Sequence, residues 1–286
     1  MKIYFVTDLH GDSQKYLKLF KLIENDPPEL LLIGGDLLPS GVNNFSSLNF
    51  KHVDFINGFL AKRFNELKEI LDSQFPKIFL ILGNDDARIE ELAILDAAMS
   101  GTWKYIHNRK ISYNGYDFIG YNYVPPTPFQ LKDWERYDVS RYVDPGCISP
   151  EEGIRTIPIS QIEAKFSTIQ KDLDILLKNT QMNKTIFLFH APPYKTNLDR
   201  ANLDGKMIDH IPLDVHVGSI AIKRFIESNQ PLLTLHGHVH ESTEMTNEWK
   251  ETIGNTIAIN GANNDPRLCI IKIDLGENIN TERILI

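Results

Sequence analysis

The chain has 286 residues, 42% hydrophobic and 24% charged, the balance of a globular protein with a sizeable core in one large domain or two small ones. Thirty Lys and Arg against 38 Asp and Glu give a net charge of -8. That excludes a grip on nucleic acid or anionic membrane through bulk positive charge, because counterion release needs surplus cations, while a bound divalent metal stays compatible.

In chain order, Met1 leads straight into an apolar strand over 2–7, so no signal peptide is expected and a cytoplasmic location is. Asp12 or Ser13 caps a helix whose Tyr16, Leu19, Phe20 and Ile23 recur at helical spacing, and Pro27-Pro28 ends it. A strand at 29–33, a helix over roughly 53–73 (Ile56, Phe59, Leu60, Leu67, Ile70 and Leu71 on one face) and a strand at 77–82 complete two β-α-β units. These predict a parallel sheet with right-handed crossovers. Residues 121–160 hold six prolines among Tyr, Phe and Trp, which predicts an ordered cap-like insertion within a single domain, 1–286. A helix over 160–179 should bury Ile162, Phe166, Ile169, Leu173, Leu176 and Leu177. Strands follow at 185–190, 231–236, 255–260 and 267–275, with a helix near 219–229; strands in direct succession predict a mixed sheet or a pair of sheets. Two cysteines, Cys147 and Cys269, are too few for a disulfide framework or a thiolate zinc site, and no apolar run approaches the ~20 residues of a membrane span.

The chemistry-bearing residues follow strands. Asp8 and His10 come after the first, Asp36 after the second and Asn84 after the third, while His190, His238 and His240 follow two later ones. Ligand sites of α/β sheets collect at the carboxyl ends of strands, so these seven should converge. Two carboxylates, an amide oxygen and four imidazoles suit Mn, Fe or Zn, and exceed what one tetrahedral ion needs; two metals sharing a bridging group fit the count. His52, His107 and His210 lack motif support and are expected at the surface.

Taken in order, Asp8-Leu9-His10-Gly11, Gly35-Asp36, Gly83-Asn84-Asp85-Asp86, His190 and Gly237-His238-Val239-His240 resemble the motifs of the calcineurin-like metallophosphoesterases. The strings Phe189-His190-Ala191-Pro192-Pro193-Tyr194 and His216-Val217-Gly218-Ser219 resemble a prokaryotic branch of predicted phosphoesterases. The resemblance implies an α/β fold, a four-layer α/β/β/α sandwich with mixed sheets, and a dinuclear metal centre at one edge. It places Asp8, His10 and His240 on one metal, Asn84, His190 and His238 on the other, and Asp36 between them. It implies hydrolysis of a phosphoester by a metal-bridging hydroxide. Asp12, Asn260 and His236 are candidates for orienting the imidazoles.

One position departs from the pattern. Many members read Gly-Asn-His, and that His is thought to assist the leaving group; here Asp85 stands there. A carboxylate beside dications is a poor proton donor, so His216 is the other catalytic candidate. Arg136, Arg141 and Arg155, interleaved with aromatics, are candidates for binding substrate phosphate. The expected substrate is a small phosphodiester or nucleotide-like phosphate, with no membrane or nucleic-acid partner. A phosphomonoesterase and a catalytically weak metal-binding scaffold are the alternatives.

Overall fold

The computed structural model describes residues 1–40, 54–176 and 181–286. His52 and Leu177 lie outside these residues. The strands form two six-stranded sheets. The first sheet contains β1 (Lys2–Val6), β2 (Leu30–Gly34), β3 (Lys77–Ile81), β4 (Lys104–Tyr105), β13 (Cys269–Leu275) and β14 (Ile279–Leu285), in the order β14-β13-β1-β2-β3-β4. β1, β2, β3 and β4 are parallel, and β13 lies antiparallel to β1, with Lys2 opposite Asp274. The second comprises β5 (Lys110–Tyr113), β6 (Tyr116–Tyr121), β7 (Thr185–Phe189), β10 (Leu233–His236), β11 (Lys250–Ile253) and β12 (Thr256–Asn260). Its order is β11-β12-β10-β7-β6-β5, parallel at the centre and antiparallel at both edges. A hairpin of β8 (Met207–Ile208) and β9 (Ile211–Pro212) stands apart.

Alternation along the strands sets the layers, because successive side chains point to opposite faces. Ile3 and Phe5 of β1 pack with Leu30, Leu32, Phe79 and Ile81, and with Ile186, Leu188, Leu233 and Leu235 of the other sheet. Tyr4 and Val6 face outward with Leu31, Ile33 and Leu80, against α1 (Ser13–Asn25) and α2 (Lys62–Leu71). On the far side, Phe187 and Phe189 meet Ile222 and Phe225 of α6 (Ile220–Asn229). Two mixed sheets face to face, with helices outside, give the layered α/β architecture that the family resemblance implies. No helix of the described residues is long and apolar enough to cross a membrane.

Three expectations need correction. The helix at 160–179 is two helices, α4 (Gln161–Phe166) and α5 (Ile169–Leu176). The Ile169 amide is drawn off to the Tyr137 carbonyl, 2.8 Å away. Ile169 and Leu173 are buried as expected, but the break leaves Ile162 73% and Phe166 52% exposed. The helix before β3 enters as a π-helical turn, Ile56–Ala61, and turns Ile70 out to solvent. The sequence reading also missed α3 (Glu91–Met99), the short α7 (Ser242–Thr246), β6 and the outermost strands.

Candidate metal centre

The candidate residues lie just past the carboxyl ends of β1, β2, β3, β7 and β10. The backbone there is unusual: Asp8, His10, Asp36 and His238 all have positive φ, between 45° and 70°. A non-glycine residue in that region costs of order 1 kcal/mol or more and persists only where its surroundings hold it. The neighbours are visible. The amides of Asp8 and His10 donate to the carbonyls of Gly35 and Asp36, at 3.0 and 2.8 Å. The buried Asp86 carboxylate accepts from the amides of Leu37, Leu38 and Gly83, tying the β2 and β3 loops together. The His238 amide donates to Asp8 Oδ1 at 3.0 Å, which joins the two sheets. Gly83 is required by close approach, since a Cβ there would lie 2.3 Å from Asp36 Oδ1 and 2.5 Å from His190 Nε2.

Two groups of side chains converge, each with ligand atoms mutually within 4.8 Å: Asp8, His10 and His240, and Asp8, Asp36 and His190. In the first, Nε2 of His10 and of His240 stand 3.2 Å apart, and His240 Nε2 is 3.1 Å from Asp8 Oδ1. In the second, His190 Nε2 lies 3.2 Å from Asp36 Oδ2, while its Nδ1 is fixed on the Gly34 carbonyl at 2.9 Å. His238 joins neither group and packs against the His190 ring at 5.3 Å between centroids.

Burial disfavours charge on every one of these residues, yet mutual pairing overrides it at several. Desolvation alone would raise Asp8, but His240, His190 and His10 hold its carboxyl well below the usual range. Desolvation would lower His10, but Asp85, Asp36 and Asp8 lift it to about 9; His190, beside Asp36, reaches about 10. His238, buried next to His190, drops to about 4.

These residues fit divalent cations. Asn84 Oδ1 is buried without a hydrogen-bond partner, and His190 Nε2 has only the Asp36 carboxylate 3.2 Å away; a buried orphan acceptor is rare unless something else binds there. Two imidazole Nε2 atoms aimed at one point beside a carboxylate oxygen likewise suit a cation better than each other. Supporting contacts surround the site. His236 bonds the Ala191 carbonyl and Thr234 Oγ1, holding the segment after His190. Asn260 Nδ2 donates to the carbonyls of Leu198 and Val239, fixing the loop that carries His240. Asp12 is instead the N-cap of α1.

The remaining candidates fall elsewhere. Asp85, expected as a catalytic group, accepts hydrogen bonds on both oxygens, from Ser40 Oγ at 2.8 Å and at His10 Nδ1, 3.1 Å away. His216 Nδ1 is 2.8 Å from Asp199 Oδ1, and Asp199 is wholly buried, accepting also from the amides of Lys195, Thr196 and Gly218. The sequence reading missed Asp199 and Ser40, whose neighbours carry no motif.

Arg136 and Arg155 turn inward, whereas Arg141 stays exposed. Arg136 forms a bidentate pair with Asp172 and also reaches Glu163 and the Tyr123 hydroxyl. Arg141 pairs with Glu151, and Arg155 donates to the carbonyls of Lys132 and Pro150. Their partners in this structure are the protein's own acids and carbonyls. His107, expected at the surface, stands among Tyr105, Tyr121, Tyr123 and Trp134; burial and nearby arginines push it down to about 3. His210 is exposed in the β8–β9 turn.

Among solved structures, the fold is similar to TT1561 of Thermus thermophilus, with 17% identity over 98% of this chain and 97% of that one and a TM-score of 0.54. It is also similar to a dimetal phosphatase from Danio rerio, with 12% identity over 100% and 98% of the two chains and a TM-score of 0.54. Identities this low speak for the fold alone. No curated protein matches the sequence. Residues 1–242, which contain every residue of the two converging groups, match the profile described as calcineurin-like phosphoesterase, and the chain belongs to that family.

Proposed function

We propose that this protein hydrolyses a small phosphodiester or nucleotide-like phosphate with two divalent cations, held by Asp8, His10 and His240 on one side and Asn84, His190 and His238 on the other, with Asp36 between. The observation that carries this reading is the buried, partnerless Asn84 Oδ1 past the end of β3, next to the strand ends that present Asp8 and Asp36. Bound cations would supply a nucleophile at neutral pH and neutralise charge on the phosphoryl oxygens.

The protein's own side chains do the rest. Buried hydrogen bonds from backbone to Asp8 and Asp86 fix the ligand loops before a substrate arrives. His216, held on Asp199 through Nδ1, keeps Nε2 for proton transfer to a leaving group. The Asp85 carboxylate at the rim of the site favours the single negative charge of a diester over the dianion of a monoester, because like charges repel.

The test is turnover of bis-p-nitrophenyl phosphate by protein loaded with Mn²⁺, compared with p-nitrophenyl phosphate. Diester turnover should exceed monoester turnover, and Asp36→Asn and His190→Ala should each lose it by a factor of at least ~10². Two bound cations with no turnover on any phosphoester would mean a metal-binding scaffold instead.

A further inference from the structure

His10 is the most exposed of the residues in the two converging groups, with a side chain 32% accessible, so packing alone does not fix its ring. Its two nitrogens face different neighbours. Nε2 points at the spot shared with His240 Nε2, 3.2 Å away, and Asp8; Nδ1 lies 3.1 Å from Asp85 Oδ2. Asp85 is itself pinned. Its second oxygen accepts from Ser40 Oγ at 2.8 Å, and its amide donates to Asp36 Oδ1 at 2.8 Å.

We propose that Asp85, braced by Ser40, is a positioning residue that locks His10 with Nδ1–H toward the carboxylate and Nε2 toward the cation. This rests on the metal-site reading above. The carboxylate faces the ring edge opposite the one shared with His240, and it joins neither converging group, so it acts through His10 and not as a ligand. A carboxylate accepting the distal N–H of a ligating histidine fixes the tautomer and makes the imidazole a stronger donor. The same contact accounts for an acid at this position.

The experiment is calorimetric titration with Mn²⁺ alone of the wild-type protein and of Asp85→Ala, Asp85→Asn and Ser40→Ala. With Asp85→Ala, one class of site should weaken roughly 10–100-fold and the other should hold its affinity. Asp85→Asn, which keeps an acceptor oxygen, should fall between wild type and Asp85→Ala, and Ser40→Ala should show a smaller loss in the same site. Nitrogen-15 spectra of the Zn²⁺-loaded wild type should show the His10 proton on Nδ1. Unchanged affinities in Asp85→Ala and Ser40→Ala, an equal loss at both sites, or a His10 proton on Nε2 would overturn the proposal. A wild-type protein that binds no Mn²⁺ would instead bring down the metal-site reading itself, and this inference with it.

Discussion

Among individual residues, the histidine that the family pattern leads one to expect after Asn84 is an aspartate, which leaves His216 as the proton donor proposed above. His216 has the features a donor needs: a wholly buried carboxylate holds one nitrogen and leaves the other free. His216→Gln should therefore make the rate depend more steeply on the leaving group. Across phosphodiesters of graded leaving-group basicity, an alkoxide should lose ~10²-fold or more and a nitrophenolate far less. A uniform drop across the series would mean that His216 only shapes its loop. The candidate ligands were legible in the sequence because each follows closely on an apolar strand, and strand ends converge by topology. Asp199 was not. It reaches His216 across a loop, and nothing near it in sequence marks a carboxylate that three backbone amides hold in the interior.

At the level of elements, the segment between β6 and α4 shows how a proline-rich stretch without regular structure stays ordered. Lys132 and Glu135 are fully buried as a pair 2.5 Å apart, with Thr127 donating to Glu135 and Asp133 accepting from the Arg88 and Thr156 amides. Asp138 meets the first turn of α6, accepting from Ser219 Oγ and the Ile220 amide. Arg136 ties this segment to α4 and α5 through Glu163 and Asp172. Arg136→Ala should then cost about 2–4 kcal/mol in urea unfolding, since it leaves the largely buried Asp172 with the Tyr121 hydroxyl but without its charged partner. The folded variant should keep its KM. A KM raised tenfold with stability unchanged would support a phosphate-binding role for Arg136. The sequence showed the arginines but not their partners, because Glu163 and Asp172 lie on helices that reach them only through the tertiary fold. The break between α4 and α5 was hidden for the same reason: an apolar period continues through it, and the interruption comes from backbone pairing with Tyr137.

For the whole molecule, Asp8, His10, Asp36 and Asn84 come from the sheet built around β1, whereas His190, His238 and His240 come from the other. Cations at this edge would clamp the two sheets together. Mn²⁺ at 100-fold above its Kd should stabilise the fold by about 2.7 kcal/mol per site, read as a thermal midpoint that rises with Mn²⁺ and returns on adding EDTA. The effect should grow from pH 6 to pH 9. His10 and His190 hold protons up to about 9 and 10, a cation must displace them, and that displacement becomes easier as protons become scarce. A midpoint indifferent to Mn²⁺ at pH 8 would count against a clamp. The position of β1 has a consequence for how the protein comes into being. This strand lies inside its sheet, between β2 and β13, and Phe5 pairs with Leu32 on one side and Ile271 on the other. On the ribosome β1 emerges before β2 and long before β13, so it can pair early with β2 while its other edge waits for residues 269–275. Until then a run of Ile, Tyr, Phe and Val offers open backbone groups to any passing strand, so nascent chains halted before β13 present an adhesive edge that the finished protein conceals.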